Sequence, residues 1–338
     1  MLNIGIDLDN TIADYDEIFF DIAKKMELIE VEGFLGKSDV KDIILLSSEG
    51  DQRWQKLQGQ VYGRWMHKAR LFPGFVAFLW TSIARGDNVC IISHKSMYGH
   101  FDDDRIPLRD RAYSWINNWL VDINLPNYFR LNENIFFEET RKQKVERINS
   151  VGCDLFIDDL NEVFLEPGFP KGTQKILFNK VVPQPHIFEG AKFNSWTEIT
   201  KYIYGELSSE DILYILKRRF PSLDITNISL KLGGGNSRVY QISDSKNTKY
   251  ALKIYPDLSI DGRPRLKTES NAIKLLWSNG LPVPKLIRSD LNLNWGIYQW
   301  LEGEENQVPD LDLIYQSVFF IKELNKHAKN HLDSHLFP

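Results

Sequence analysis

Three short apolar runs that end in polar residues constrain the fold of this chain more than any other feature. The runs are Leu2–Leu8, Val89–Ser93 and Leu155–Ile157. Each has the length and the continuous apolar character of a strand that is buried on both faces. Helical patterns lie near them at Phe75–Ala84, Arg109–Val121 and Arg141–Val151. This alternation predicts an α/β fold with a Rossmann-like parallel sheet.

The length of the chain favours two domains. At 338 residues it exceeds the usual size of a single core. The first domain is predicted to span residues 1–205 and the second residues 206–338, because the sequence turns irregular from Pro183 and starts afresh after a short helix at Trp196–Tyr204. Residues 14–70 interrupt the first crossover with charged helical segments. Since they are too long for a simple connection, we expect a small helical cap.

The composition argues against several classes of partner. Lys and Arg total 41 against 46 Asp and Glu, which lacks the basic excess that nucleic-acid binding needs. No stretch approaches the roughly 18 apolar residues of a membrane span, and the N-terminus has no basic leader, so a cytoplasmic location is expected. Cys90 and Cys153 are interpreted as reduced core residues. Nothing in the sequence sets the oligomeric state.

Polar side chains collect where the predicted strands end. They are Asp7, Asp9, Ser93, Asp158 and Asp159. In an open parallel sheet this edge carries the ligand site. One carboxylate of an i, i+2 pair can attack phosphorus, while the other protonates the leaving oxygen and then activates water. A hard cation such as Mg²⁺ relieves the repulsion between clustered acids and a phosphate. A single Asp at a strand end is as often a turn or helix-cap residue, so only the combination of these side chains indicates a phosphate site.

These motifs occur in the order found in one known superfamily. Asp7-Leu8-Asp9-Asn10-Thr11 resembles the first motif of the haloacid dehalogenase superfamily, and Ile91-Ile92-Ser93-His94 resembles its second. Lys144 and the acidic pair Asp158-Asp159 resemble the third and fourth motifs. The resemblance implies a phosphatase, because the acid at Asp9 separates phosphatase-like members from dehalogenases and phosphonatases. The cap implies that the substrate is a small phosphorylated metabolite.

The resemblance also implies a role for each site residue. Asp7 would be the nucleophile, Asp9 the acid and base, Ser93 a hydrogen-bond donor to the phosphoryl group, and Lys144 its neutralising cation. The phosphate would be bound by Thr11, Ser93, His94 and Lys144. Mg²⁺ would be held by Asp7, Asp158 and the carbonyl of Asp9, with Asp159 in support. Two alternatives stay open: Lys142 competes with Lys144, and the loop with His94 and Lys95 either touches substrate or is solvated.

The second domain is predicted to begin with a capped helix and a small antiparallel sheet. Ser208 and Asp211 fit a capping pattern ahead of a helix. Strand patterns follow at Ile228–Leu232, Val239–Ile242 and Tyr250–Ile254. A glycine-rich run separates the first two, and Lys253 on the third strand can pair with Glu269 on the next predicted helix.

This second region resembles the N-terminal lobe of aminoglycoside phosphotransferase and choline kinase type enzymes. The resemblance implies a nucleotide site for ATP, with adenine at Gln299–Leu301, the phosphates at Gly234, Gly235, Asn236 and Lys253, and Glu269 orienting Lys253. The catalytic and metal-binding Asp residues of such kinases belong to a C-terminal lobe, so the lobe is expected to be incomplete. Three readings stay open: a nucleotide-binding or interaction module, a folded remnant, or a fragment of a bifunctional phosphatase and small-molecule kinase.

Overall fold

A computed structural model describes most of the chain, and it divides into two compact units, Met1–Glu206 and Leu207–Pro338. The described residues are 1–101, 104–125, 131–179, 188–231, 237–258, 260–303 and 310–329. None of the helices within these ranges combines the length and the apolar character needed to cross a membrane.

The first unit alternates strands and helices. Its strands are β1 Asn3–Ile6, β2 Ala13–Asp14, β3 Arg70–Leu71, β4 Asn88–His94, β5 Ile135–Glu138, β6 Leu155–Asp158, β7 Gln174–Phe178 and β8 Ala191–Phe193. Its helices are α1 Asp16–Lys25, α2 Lys37–Leu45, α3 Gly50–Tyr62, α4 Phe75–Ala84, α5 Leu108–Asp122, α6 Leu131–Asn134, α7 Arg141–Val151, α8 Asn161–Phe164 and α9 Trp196–Tyr204.

Six strands of this unit form one parallel sheet in the order β5-β4-β1-β6-β7-β8. Strand β1 lies in the middle, where Ile6 pairs with Ile91 of β4 and with Ile157 of β6. Helices on both sides of such a sheet leave its central strands without solvent contact, which explains the continuous apolar runs. The predicted α/β class with a parallel sheet is therefore confirmed.

Glycine is required at the centre of β1. A Cβ atom at Gly5 would lie 2.5 Å from Cδ2 of Phe156 and 2.8 Å from Sγ of Cys153. Both distances are far below van der Waals contact, so a larger residue would displace the β6 side of the core. Cys90 and Cys153 are buried free thiols, as predicted.

Three helices form the insertion that follows the segment Asp7–Thr11. The antiparallel pair β2 and β3 brackets it, with Ala13 opposite Leu71. Aromatic contacts join α1 to α3: the Phe19 ring stacks on Trp54 at 5.1 Å. The expected helical segments at residues 14–70 are thus α1, α2 and α3.

The second unit is built on a five-stranded antiparallel sheet in the order β12-β13-β11-β10-β9. Its strands are β9 Ile225–Lys231, β10 Arg238–Asp244, β11 Lys249–Ile254, β12 Leu286–Asp290 and β13 Trp295–Gln299, and its helices are α10 Ser209–Arg219, α11 Arg265–Ser278 and α12 Leu311–Lys329. The Ser208–Asp211 capping box is present at the start of α10. The small antiparallel sheet predicted for this region is confirmed.

Candidate functional site

Three carboxylates from two neighbouring strands meet at one edge of the parallel sheet. Asp7 follows β1, Asp158 ends β6, and Asp159 comes next in the chain. One oxygen of each lies within 4.8 Å of the others. Adjacent parallel strands end at the same edge of the sheet. Asp7 after β1 and Asp158 at the end of β6 therefore meet in one site although they are far apart in the sequence.

Lys144 lies between two of these acids. Its Nζ donates to Oδ1 of Asp7 and to Oδ2 of Asp158, both at 2.6 Å. The lysine side chain is only 2% exposed, and both acids are buried. Lys142 is exposed on the same helix, so the geometry places Lys144 and not Lys142 among the acids.

The first turns of α7 position this lysine. Thr140 and Gln143 form a capping box in which Oγ1 of Thr140 accepts from the backbone N–H of Gln143 at 3.1 Å. The box fixes where the helix begins, and Lys144 lies four residues further on, on the buried face. Its direction toward the sheet edge therefore follows from a local sequence signal.

The close packing of three acids around one lysine shifts the pKa of Asp7, Asp159 and Lys144. Burial raises the pKa of Asp7 to about 7; the Lys144 contact opposes this, while Asp158 and Asp9 add to it. Burial and repulsion from Asp158 and Asp7 hold the pKa of Asp159 well above its usual range. Burial lowers the pKa of Lys144, but Asp158 and Asp7 outweigh it and leave that pKa raised. Three carboxylates facing one ammonium group are the donor set that a hard divalent cation fits.

The Asp9 carboxylate lies apart from this group of three acids. Its Oδ1 accepts a hydrogen bond from the Tyr15 hydroxyl at 2.6 Å, and its Oδ2 accepts one from Nζ of Lys95 at 2.8 Å. Both oxygens of the Asp9 carboxylate thus have a hydrogen-bond donor.

Lys95 is buried, and both its backbone N–H and its backbone carbonyl are hydrogen-bonded. Its side chain is 2% exposed, so the reading as a solvated loop residue is wrong. Its backbone N–H donates to the Glu138 carbonyl, and Nε of Arg109 donates to the Lys95 carbonyl, both at 2.9 Å. Arg109 also reaches Glu139 at 2.6 Å, which ties this loop to the end of β5.

The three other residues expected to bind phosphate, Ser93, Thr11 and His94, lie in different surroundings. Ser93 is buried at the carboxyl end of β4, beside β1. Thr11 is fully buried, and its Oγ1 has no hydrogen-bond partner in the described part of the chain. His94 is exposed, and its Nε2 lies 2.9 Å from the Glu139 carbonyl oxygen. Within the described ranges, the structure does not bring His94 into contact with the acids.

Sequence reasoning missed three side chains that the cap brings to the site. Tyr15 donates to Asp9, as described above. Lys37, at the start of α2, donates from Nζ to Oδ1 of Asn10 and to the Tyr62 hydroxyl, both at 2.9 Å. The Tyr15 and Tyr62 rings meet edge to face at 5.0 Å. No motif marks these residues; the only sequence signal is that they lie in an insertion expected to cover the site.

In the second unit, the predicted ion pair is present. Nζ of Lys253 lies 2.6 Å from Oε2 of Glu269. The same ammonium group lies 4.9 Å from the centroid of the Tyr255 ring. Backbone N–H of Gln299, at the end of β13, donates to the Lys285 carbonyl at 2.8 Å. The other residues expected at this site, Gly234, Gly235 and Asn236, lie outside the described residues.

Comparisons with known proteins give only distant structural similarity. No protein family and no curated protein matches the sequence. A haloacid dehalogenase superfamily hydrolase of subfamily IA, variant 1, from Geobacter sulfurreducens is 13% identical, with a TM-score of 0.38, over 60% of this chain and 96% of that one.

The Rio2 kinase of Chaetomium thermophilum, solved as an ADP/Mg²⁺-phosphoaspartate complex, is 19% identical over 35% of this chain, with a TM-score of 0.26. This chain spans 40% of the length of that kinase. At these TM-scores neither match assigns a function to this chain. What the structure itself defines is a parallel α/β unit with an acid-and-lysine site at its carboxyl edge, followed by a smaller antiparallel unit.

Proposed function

We propose that the first unit is a magnesium-dependent phosphatase that hydrolyses a small phosphorylated metabolite through an aspartyl phosphate. The observation that carries this proposal is the position of Lys144 between Asp7 and Asp158, with Asp159 close by. A buried ammonium group beside a carboxylate that follows a strand end suits a nucleophile that must accept a dianionic phosphoryl group.

In the first half-reaction, an oxygen of Asp7 attacks phosphorus and the bond to the ester oxygen breaks. Protonated Asp9 gives its proton to that leaving oxygen, and the alcohol departs. The two carboxylate oxygens of Asp9 accept hydrogen bonds from Tyr15 and Lys95. When substrate binds, the leaving oxygen replaces one of these two groups beside the Asp9 carboxyl group. Lys144 stays against Asp7 and offsets the charge brought by the phosphoryl group.

In the second half-reaction, Asp9 accepts a proton from water, and the water oxygen attacks phosphorus. The acyl phosphate bond breaks, which releases inorganic phosphate and restores the Asp7 carboxylate. Mg²⁺, when bound, would neutralise phosphoryl oxygens, with Asp7, Asp158, Asp159 and the Asp9 carbonyl as its protein donors.

The test is a screen of phosphate esters with the full chain, with and without magnesium. We expect the wild type to release phosphate only with the cation and Asp7→Asn to be inactive. Asp122→Asn is the matched control, because Asp122 is exposed at the end of α5. Turnover by Asp7→Asn equal to that of the control would show that Asp7 is not the nucleophile.

We also propose that the second unit binds a nucleotide such as ATP. The supporting observation is the Lys253–Glu269 pair at 2.6 Å, in which a strand lysine is oriented by a helix glutamate. Such a lysine binds the α and β phosphates in kinases. If the chain belongs to a larger bifunctional phosphatase and kinase, this binding would serve a transfer reaction that needs further residues.

Calorimetry with ATP on the full chain tests this second proposal. We expect binding that Lys253→Ala weakens and that Lys274→Ala, an exposed lysine on α11, leaves unchanged. An absence of ATP binding, or equal binding by both variants, would contradict the nucleotide site and favour an interaction module.

A further inference from the structure

Lys37 differs from the two other lysines at the site in the partners it has. Lys144 and Lys95 each contact a carboxylate. Lys37 donates to two neutral oxygens, Oδ1 of Asn10 and the Tyr62 hydroxyl, and no carboxylate lies within ion-pair distance of it among the described residues. The hydrogen-bond partners of Lys37 are neutral, and Asp159 and Asp9 act on its charge only from beyond hydrogen-bond distance, so the ammonium group can still accept a direct anionic partner from outside the protein.

The position of Lys37 is on the Asp9 side of the site. Asn10, its first partner, follows Asp9 directly in the chain, has a left-handed backbone (φ 61°), and accepts the Lys37 hydrogen bond through its Oδ1. Tyr62, its second partner, packs against Tyr15, whose hydroxyl binds Asp9. Although burial lowers the pKa of Lys37, Tyr62, Asp159 and Asp9 outweigh it, so the group stays cationic.

The Asp9 side is where the leaving group must lie. A general acid has to reach the oxygen to which it gives its proton, so residues around the Asp9 carboxylate surround the leaving alcohol rather than the transferred phosphoryl group. The Tyr62 and Phe19 rings lie 5.6 Å and 5.1 Å from the Lys37 ammonium group, and they limit its access to water on the cap side. A fixed cation in such surroundings favours an anionic group on the leaving alcohol.

We propose that Lys37 selects phosphate esters whose leaving group carries a second anionic group, either a carboxylate or another phosphate. This inference rests on the proposed phosphatase function and adds the class of substrate to it. Lys37 is a specificity-determining residue in this account: it binds the remote anion and takes no part in proton transfer.

Paired esters of matched size test the proposal. The first pair is 2-phosphoglycolate and 2-hydroxyethyl phosphate, and the second is propane-1,3-diol bisphosphate and its monophosphate; together they distinguish a carboxylate from a phosphate. We expect the wild type to prefer the more anionic member of at least one pair. Lys37→Gln should lower this kcat/KM ratio about tenfold, mainly through KM, because one charged hydrogen bond is lost.

Two further variants separate specificity from structure. Lys37→Arg keeps the charge and should restore much of the preference. Lys41→Gln, on an exposed position of the same helix, should leave the ratio unchanged. An equal loss by Lys37→Gln on both members of each pair would mean that Lys37 only joins the cap to Asn10, and would overturn the proposal.

Binding of the same esters is also measured by calorimetry on the full chain, so that the result does not depend on turnover. Tighter binding of the anionic member that Lys37→Gln abolishes supports the proposal, and equal binding of both members overturns it. If binding of the anionic member depends on Lys37 but no ester is hydrolysed, the phosphatase proposal fails, and only the anion-binding role of Lys37 is supported.

Discussion

Lys144 is the residue on which the charge balance of the first site depends. Replacing it by Gln leaves Asp7, Asp158 and Asp159 facing one another without a buried cation. We expect a loss of roughly 3 kcal/mol in the free energy of unfolding, at the low end for breaking a buried pair because Asp7 can take up a proton. We also expect kcat to fall at least about 100-fold.

Denaturant unfolding and phosphate release measure these two effects. Lys142→Gln, an exposed change two residues away on α7, is the control and should alter neither quantity. If the two variants behaved alike, Lys144 would not neutralise the acids in the way that its 2.6 Å contacts indicate.

The ionisation of Asp7 should make the stability of the folded protein depend on pH, and a bound divalent cation should oppose this dependence. Its pKa is about 7 in the folded protein, above the usual value of 3.8, so the folded state holds a proton that the unfolded chain has released. Stability from this group is fully present below pH 3.8 and is lost as the pH rises toward 7. Because a cation favours the ionised acid, magnesium should raise Tm more at pH 7.5 than at pH 5.5.

The comparison is made with chelator and with magnesium, for the wild type and for Asp7→Asn. The difference between the two proteins isolates this one carboxylate from the other titrating groups. A magnesium effect of the same size at both pH values, or one retained in full by Asp7→Asn, would contradict the assignment of Asp7 as a cation ligand.

The site residues that the sequence could indicate are those in short local motifs. Asp7 and Asp158 each come at the end of an apolar run, which is enough to predict that they share one edge of the sheet. The place of Lys144, on α7 and 14 residues before Asp158, is implied by the family resemblance. The position of Lys37 near the site depends on how the cap packs over the edge of the sheet. The periodicity of the sequence does not encode this packing between distant segments. Lys95 was ambiguous because a polar loop resembles a solvated one until its burial is known.

The capping box of α7 links an element boundary to the chemistry. Thr140→Ala removes the acceptor for the first-turn amide of Gln143, which should cost about 1 kcal/mol of stability. Fraying of that turn should also lower kcat modestly, because Lys144 lies four residues beyond it. Asn149→Ala, on an exposed position of the same helix, is the control. A loss of activity without a loss of stability would point to a different role for Thr140.

Elements with a clear apolar pattern or with clear helix-end signals were predictable, and those with a weaker pattern were not. Helices Phe75–Ala84 and Arg141–Val151 have the predicted bounds, since their apolar spacing and end signals agree. Strands β5, β7 and β8 were not predicted: β5 alternates buried and half-buried residues, β7 begins with two polar residues, and β8 has only three residues, so none is apolar and buried over its whole length. Strands β12 and β13 were also not predicted.

At the scale of the whole molecule, the two compact units predict separable activities. The division falls between Glu206 and Leu207, close to the boundary that the sequence favoured. Because every acid and lysine of the candidate phosphatase site lies in the first unit, residues 1–206 alone should hydrolyse phosphate esters with the kcat/KM of the full chain. Circular dichroism checks that the fragment is folded. A folded but inactive fragment would show that the second unit contributes to the first site.

The central claim is that Asp7 becomes phosphorylated, and one measurement tests it directly. Asp9→Asn should still react with p-nitrophenyl phosphate, whose leaving group needs no acid, but should fail to activate water for the second step. Acid quenching and mass spectrometry should then find one phosphoryl group on Asp7. Release of nitrophenol with Asp7 unmodified, or with the phosphoryl group on another residue, would contradict the account.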